Sequence, residues 1–130
     1  MNHFVNCLTR LSALMLFIAI AGLGSAAAQD KGAATAKKGE PVVKVLIDND
    51  KVRAYSTTFK PGDTSPSRAR VQRVIHYMNA GTLRRTYPDG KTEDRKFKAG
   101  DVVWVEPATY AVKNVGKSTV QLYGVEVKSK

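Results

Sequence analysis

Hydrophobic residues from Pro41 onward follow the spacing of β-strands rather than that of helices. Short runs rich in β-branched and aromatic residues alternate with turn residues at regular intervals, which is typical of a β-sandwich or barrel. The predicted strands are Val42–Ile47, Val52–Phe59, Arg73–Met78, Leu83–Tyr87, Thr92–Phe97, Val102–Val105, Tyr110–Val112 and Thr119–Val127. We therefore expect an all-β domain of eight to nine strands, folded as a jelly roll or small barrel that limits exposed sheet edges.

The turns between these runs have characteristic residues. Pro88-Asp89-Gly90-Lys91 is the strongest, because Asp-Gly between two strand patterns favours a tight hairpin. Lys60-Pro61-Gly62-Asp63 and Ala99-Gly100-Asp101 also combine residues that favour turns. These segments predict where the strands end.

The N-terminal residues have a different pattern. Arg10 precedes Leu11–Leu23, an uncharged apolar run, and small residues up to Ala28 follow it, as in a secretory signal peptide. We expect cleavage near Ala28 and a periplasmic or secreted mature protein. A retained membrane anchor is the alternative, but this run is short of the roughly 20 apolar residues that a spanning helix needs. No stable membrane insertion is expected after cleavage.

Residues 29–40 are rich in Ala, Lys and Gly and predict a flexible tether, so the folded domain is expected to comprise residues 41–130. The full chain has a formal net charge of +10, and the predicted signal peptide contains one basic and no acidic residue, which leaves +9. The basic residues are scattered rather than interleaved with aromatic ones, so no nucleic-acid partner is predicted. Weak, salt-sensitive attraction to anionic surfaces is the simpler consequence of this charge.

Cysteine and histidine are almost absent from the predicted mature domain. Cys7 is the sole cysteine, and with His3 it lies in the predicted signal peptide, which leaves His76 as the one histidine. A disulfide framework, a cysteine-based zinc site and thiol redox chemistry are therefore not expected.

The order of turns and strands over residues 51–128 resembles the two conserved motifs of cupins and the hairpin between them. The matching segments are Pro61-Gly62-Asp63, Arg68-Ala69-Arg70, Gly81, Tyr87–Gly90, Ala99–Trp104, Pro107 and Ala111–Gly116. The resemblance implies a cupin-type jelly-roll β-barrel that occupies nearly the whole mature domain.

The residues at the metal-ligand positions depart from the cupin pattern. Metal-binding cupins present a His-x-His pair, a Glu and a further His on the inner face. The corresponding residues here are Arg68, Arg70, Val74 and Tyr110. Transition metals need several imidazole or carboxylate donors, and a pair of guanidinium groups would repel a dication. We therefore predict no metal, no cofactor and no metal-dependent dioxygenase or isomerase activity.

Residues two apart on a strand share a face, so Arg68 and Arg70 are expected to point in the same direction. The resemblance implies that Val74, His76 and Met78 face inward. Arg85 is expected to point inward because apolar Leu83 shares its face. The predicted ligand-binding residues are Arg68, Arg70, His76, Arg85 and Tyr110.

Guanidinium groups in a partly dry pocket would suit a carboxylate, phosphate or sulfate, since they donate two parallel hydrogen bonds. The alternatives are that Arg68 and Arg70 lie in water at the rim or pair with Glu106 or Asp63, or that side chains fill the cavity.

These observations leave three functions open. The first is a metal-free, non-catalytic binding domain for a small anionic ligand. The second is a structural or protein-interaction module that forms a homodimer through a sheet, with Trp104 either in the core or between subunits. The third is an enzyme, for which no catalytic residue is predicted because no nucleophile or second titrating group accompanies His76.

Overall fold

A computed structural model describes residues 37–129. Within this range the chain forms nine strands. They are β1 (Val42–Asp48), β2 (Val52–Phe59), β3 (Thr64–Arg70), β4 (Arg73–Tyr77), β5 (Gly81–Thr86), β6 (Thr92–Phe97), β7 (Val102–Val105), β8 (Ala108–Asn114) and β9 (Val120–Val127). No helix of residues 37–129 is long and apolar enough to cross a membrane.

The strands form two antiparallel sheets. The five-stranded sheet has the order β1-β2-β9-β4-β7, and the four-stranded sheet has the order β3-β8-β5-β6. Strands that neighbour each other in a sheet are mostly distant in sequence, as in a jelly roll. The predicted all-β jelly roll is therefore confirmed.

The sequence pattern does not predict β3. Its residues, Thr64–Arg70, contain no alternating large hydrophobic side chains, because β3 is an edge strand that faces the core mainly with Ser65 and arginine. The pairing of β3 with β8 shifts register between Ser65 and Arg68, around Pro66. Proline has no backbone N–H to donate, and it is tolerated there because an edge strand or a bulge does not need that hydrogen bond.

Side chains from the inner faces of both sheets form one hydrophobic core. Tyr77 stacks on Phe97 with ring centroids 3.7 Å apart. The buried hydrophobic residues are Tyr55, Phe59, Ile75, Tyr77, Leu83, Phe97, Val105, Tyr110, Val112, Val120 and Leu122. The part of the core that contains Phe59, Phe97 and Val120 is apolar, whereas arginines surround Tyr110.

The inner face of β4 is the opposite of the one expected. Arg73, Ile75 and Tyr77 are buried, so the alternation places Val74 and His76 on the outer face. Met78, just after the strand, is exposed. The expectation failed because both sets of alternate residues are largely apolar, and a one-residue shift of register exchanges the two faces.

The predicted signal peptide, residues 1–28, lies outside the described residues, as does most of the predicted tether. Residues 37–40 form a turn closed by a 3.0 Å hydrogen bond from Glu40 N to Lys37 O. Gly39 O also accepts a 2.9 Å hydrogen bond from Thr64 N. Residues 37–40 are thus connected to the first residue of β3.

Candidate functional site

Three arginines surround the ring of Tyr110 inside the barrel. The guanidinium carbons of Arg85, Arg70 and Arg73 lie 4.6, 5.1 and 5.8 Å from the ring centroid. Tyr110 is only 1% exposed and comes from β8, whereas the arginines come from β5, β3 and β4. Cations near an aromatic face are attracted to its negative potential, so Tyr110 helps to hold these like charges together.

Sequence reasoning missed two arginines of the candidate site, Arg95 of β6 and Arg73 of β4. Arg73 is the buried one. It is 3% exposed, and its Nη2 donates to the Tyr110 hydroxyl while Nη1 donates to Val71 O at 3.1 Å. No ion pair of the described residues includes it. The sequence offered one signal for it. Arg73 lies two residues before Ile75 and four before Tyr77, so it shares a strand face with these hydrophobic residues.

Arg70 is held in a fixed position by neighbouring acceptors. Its Nη2 donates to Ser65 Oγ at 3.0 Å, and its Nε donates to the backbone oxygen of Tyr110 at 3.4 Å. Burial, together with the charges of Arg68 and Arg73, lowers the pKa of Arg70 to about 10. Arg70 remains a cation at neutral pH, but its charge is poorly compensated.

Glu93 is the one carboxylate of the described residues that forms ion pairs in this cluster. Its oxygens lie 2.8 Å from Arg95 Nε and 3.9 Å from Arg85 Nη1, and it accepts a 3.0 Å hydrogen bond from the Tyr87 hydroxyl. Burial acts to raise the pKa of Glu93, but the Tyr87 hydrogen bond and the two arginines outweigh it and lower the pKa. One carboxylate therefore pairs with two arginines.

The arginines do not pair with the acidic residues considered from the sequence. Asp63 accepts from the backbone N–H of Lys60 at 2.8 Å, and Glu106 accepts from Trp104 Nε1 at 2.6 Å. Arg68 forms no ion pair or side-chain hydrogen bond with any described residue and is exposed at the rim. The interpretation that pairs Arg68 or Arg70 with these carboxylates is therefore wrong.

A cavity of about 50 Å³ separates the arginines from the hydrophobic core. Its cationic wall consists of Arg68, Arg70, Arg85 and Arg95, and Tyr55, Thr57 and Ser65 add polar groups. Its apolar wall consists of Pro41, Val43, Phe59, Ile75, Tyr77, Leu83, Val112 and Leu122. The interior is thus partly filled by its own side chains but keeps a small open space with chemically different walls.

A second depression of about 260 Å³ adjoins this cavity, because Tyr55, Ser65 and Arg68 line both. Arg53 lies in the second depression, and its buried Nε has no hydrogen-bond partner among the described residues. Burial raises the pKa of Tyr55 in spite of nearby arginines, so its hydroxyl remains a neutral donor. Glu40 and Glu126 also line the second depression, so it carries both signs of charge, whereas no carboxylate lines the first cavity.

The predicted site residues are brought together in part. Arg68, Arg70 and Arg85 line the cavity, and Tyr110 lies beside it with its hydroxyl engaged by Arg73. His76 lies on the outer face of β4, so its predicted place in the interior is wrong.

Solved structures of low sequence identity share this architecture. A cupin domain from Bordetella pertussis matches with a TM-score of 0.65 and 22% identity, over 73% of this chain and 100% of that one. An RmlC-like cupin from Shewanella frigidimarina matches with a TM-score of 0.55 and 17% identity, over 79% and 88% of the two chains. The chain has the cupin fold. The prediction drawn from the motif segments is thereby confirmed at the level of the fold.

The cupin fold alone does not decide the function. No protein-family model matches the sequence, and no curated protein matches it. A polyketide cyclase from Streptomyces resistomycificus also matches, with a TM-score of 0.53 and 17% identity over 68% of this chain and 65% of that one. Because one fold supports different activities, the function has to be argued from the site.

The residues around Tyr110, where the resemblance places the cupin metal site, do not fit a transition metal; Val74, expected at the Glu position, lies on the outer face of β4. Arg68 pairs in register with Tyr110, and Arg70 and Arg73 lie against the same tyrosine, where imidazole and carboxylate donors would be required. Within residues 37–129, no three His, Cys, Asp or Glu side chains form a group that could hold a metal ion. The donor set favours an anion instead.

Proposed function

We propose that this protein is an exported cupin domain that binds a small carboxylate between the arginines that line its cavity. The observation that carries the proposal is the imbalance of charge at the cavity. Four arginines line it, and Glu93 is the one carboxylate of the described residues within ion-pair distance of any of them.

An anion would relieve an electrostatic cost of the folded protein. Arg70 is largely removed from water, and Arg68 and Arg73 lie close enough to lower its pKa. Unpaired buried charges cost several kcal/mol, and an anion between the guanidiniums would offset part of this cost.

The guanidiniums also have donors available. Arg68 has no hydrogen-bond or ion-pair partner among the described residues. The Arg85 side chain, 11% exposed, lies against the Tyr110 ring, and its one ion pair with a described residue is the 3.9 Å contact with Glu93. A planar guanidinium donates two parallel hydrogen bonds to a carboxylate, a geometry that matches both groups. Arg68, Arg70 and Arg85 are the residues we expect to hold the ligand.

The apolar wall favours a carboxylate over an inorganic oxyanion. A cavity of about 50 Å³ accommodates only a few water-sized atoms. A carboxylate with a short hydrocarbon chain could direct its oxygens at the arginines and its chain at Leu83, Val112 and Leu122. Phosphate or sulfate would turn one or more oxygens toward hydrocarbon, where a polar atom without a partner is costly.

Thermal unfolding of the protein, expressed from its full-length sequence, tests the proposal. Sodium propionate is compared with sodium phosphate, sodium sulfate and sodium chloride at matched ionic strength. We expect propionate to raise the Tm along a saturating curve, because a ligand that binds only the folded state stabilises it. The other three salts should give smaller shifts.

Neighbouring arginines on β5 provide a matched pair of variants. Arg85→Met should abolish the propionate-dependent shift, whereas Arg84→Met should keep it, because Arg84 is exposed and binds Asp94 through two hydrogen bonds of 2.6 and 2.8 Å. Circular dichroism checks that both variants fold. A propionate response no larger than that of chloride, or an equal response in Arg85→Met, would overturn the proposal. A larger response to phosphate would overturn the carboxylate assignment.

A further inference from the structure

One buried polar side chain differs from the other buried polar side chains of the described residues. These residues are Thr57, Asp63, Ser65, Arg73 and Asn114, and the side chains of the last four all form hydrogen bonds. The hydroxyl group of Thr57, a residue that is only 5% exposed, forms none with any described residue. Buried polar groups are normally paired, so this exception points to a partner from outside the chain.

Thr57 lies in an apolar row on the inner face of the five-stranded sheet. The strand registers align it with Val43 of β1 on one side and with Leu122 of β9 on the other. All three residues line the cavity. Valine has nearly the same shape as threonine and would suit this row better, because an unpaired hydroxyl among apolar groups is costly. The folded domain alone therefore gives no reason for a hydroxyl at this position.

The Thr57 oxygen is open to the cavity. Among the described residues, Arg53 Nε is the one fully enclosed side-chain nitrogen or oxygen that lacks a hydrogen bond. The Thr57 oxygen also lacks a hydrogen bond, so it is not fully enclosed, and the cavity is the space that this side chain lines. Tyr55 is two residues earlier on the same face of β2, is 8% exposed and lines the same cavity. Its hydroxyl also forms no hydrogen bond with a described residue, so β2 offers the cavity two hydroxyl groups.

These hydroxyl groups face the arginines across the cavity. The arginines that line it come from β3, β5 and β6 of the four-stranded sheet, whereas β2 belongs to the five-stranded sheet. Burial raises the pKa of Tyr55, and the charges of Arg73, Arg70 and Arg68 act in the opposite direction, so its hydroxyl lies near the cationic wall. An anion held by the arginines would therefore lie beside a hydroxyl group as well.

We infer that the ligand is a 2-hydroxy carboxylate, whose hydroxyl group binds Thr57 and Tyr55. This inference rests on the proposed carboxylate site, in which the arginines hold the carboxylate and the apolar wall holds the hydrocarbon chain. A hydroxyl on the carbon next to the carboxylate leaves the chain end free to contact Leu83 and Val112. Hydroxyl groups both donate and accept hydrogen bonds, so the ligand and the two side chains satisfy one another.

Three kinds of wall around one carbon atom predict a preference for one enantiomer. The carboxylate, the hydroxyl and the hydrocarbon of a 2-hydroxy acid each contact a different wall. In the mirror-image acid only two of these groups can reach their walls at the same time, and the third is misplaced. A site that hydrogen-bonds a hydroxyl discriminates against ligands that do not present one correctly.

Thermal unfolding of the protein, expressed from its full-length sequence, tests the inference. Sodium propionate, sodium L-lactate and sodium D-lactate are titrated at matched ionic strength, because lactate is propionate with a hydroxyl on the carbon next to the carboxylate. Propionate would displace cavity water from the β2 hydroxyls without replacing its hydrogen bonds. One lactate enantiomer should therefore bind about 3- to 10-fold more tightly than propionate, the effect of one net hydrogen bond.

Substitutions on β2 identify the hydroxyl group responsible. Thr57→Val should bring the dissociation constants of propionate and the preferred lactate close to each other. It should also leave the Tm without ligand unchanged or higher, since it breaks no hydrogen bond within the described residues. Thr57→Ser keeps a hydroxyl and should keep the preference. Thr58→Val makes the same exchange on the outer face of β2 and is the matched control, in which the preference should persist.

The outcomes separate this inference from the carboxylate site. Equal binding of propionate and both lactates would overturn the inference and leave the carboxylate site in place. A lactate preference that persists in Thr57→Val would overturn it too. A lower Tm of Thr57→Val without ligand would show that the hydroxyl has a structural partner. No Tm shift with any of the three acids would overturn the carboxylate site, and the inference with it.

Discussion

Arg73 is a buried cation that depends on a hydroxyl group and a backbone carbonyl rather than on a carboxylate of the described residues. Its partner Tyr110 is also the aromatic surface against which Arg70 and Arg85 lie. The Tyr110 side chain therefore has two tasks: its oxygen satisfies one guanidinium and its ring attracts two more. Its contribution to the site is to organise the arginines.

This arrangement predicts an energetic coupling between Tyr110 and Arg73. Tyr110→Phe leaves a buried Arg73 donor without its acceptor and should lower the free energy of unfolding by about 1–3 kcal/mol. Arg73→Met removes the buried charge at similar volume and should be close to neutral or stabilising. In the Arg73→Met background, Tyr110→Phe should therefore cost much less.

Urea denaturation of the four proteins of this double-mutant cycle measures the coupling. An equal cost of Tyr110→Phe in both backgrounds would show that the hydroxyl does not act through Arg73.

At this scale the sequence identifies only part of the site. Arg68 and Arg70 follow from the motif spacing, and Arg85 follows from its shared face with Leu83. Arg73 faces the interior, and His76, expected there, faces outward instead. The expectation failed because both faces of β4 carry hydrophobic residues. Which face becomes buried depends on packing against the other sheet, such as the stacking of Tyr77 on Phe97, which β4 alone does not encode.

The strand β9 shows how one residue of an element positions the site. Tyr55 of β2 lies directly over Gly124, and the two residues pair in register. A Cβ at position 124 would come 2.8 Å from Tyr55 Cε2 and closer still to the end of the ring. Glycine is needed here because the aromatic ring occupies the volume of a side chain.

Gly124→Ala is therefore expected to destabilise the protein by about 1–3 kcal/mol, the usual cost of overpacking a core. Because Tyr55 lines the cavity, its displacement should also reduce the Tm shift caused by propionate. Gly116→Ala is the control, since its Cβ would meet no atom closer than 3.4 Å. Urea denaturation and thermal shift measure the two effects, and equal stability of the two variants would contradict the packing argument.

Eight of the nine strands follow from the alternation of hydrophobic residues, because each has at least one apolar side chain to bury. The exception, β3, carries the two arginines of the first motif and little else that faces the core. Backbone pairing to β8 holds this strand in place, and its inward side chains include cations. It therefore shows no hydrophobic periodicity that the sequence could reveal.

On the scale of the whole molecule, we expect the N-terminal residues to direct export of the protein. We expect the protein purified from its native cells to begin at or near Gln29, because small residues up to Ala28 follow the apolar run Leu11–Leu23. Mass spectrometry of the intact protein from the periplasmic or culture fraction measures the new terminus. Soluble cytoplasmic protein that retains Met1 would contradict export.

Charge is also distributed unevenly between the three main surfaces of the domain. The inner cavity is cationic, and the outer face of the four-stranded sheet carries both signs. The outer face of the five-stranded sheet, with Val74, Trp104 and Val125, is mostly uncharged. The candidate cavity and the outer face of the five-stranded sheet therefore use different residues.

The cationic wall and the apolar wall of the cavity would contribute differently to ligand recognition. Guanidinium groups attract any anion, so in a salt solution a carboxylate would enter by exchange with other anions rather than by filling a neutral space. The electrostatic attraction then contributes to the affinity of every competing anion, so it does not distinguish one anion from another. What distinguishes one anion from another is the hydrocarbon wall around Leu83 and Leu122, which favours a ligand with an apolar end. Selectivity in this domain would thus be set by its least polar residues.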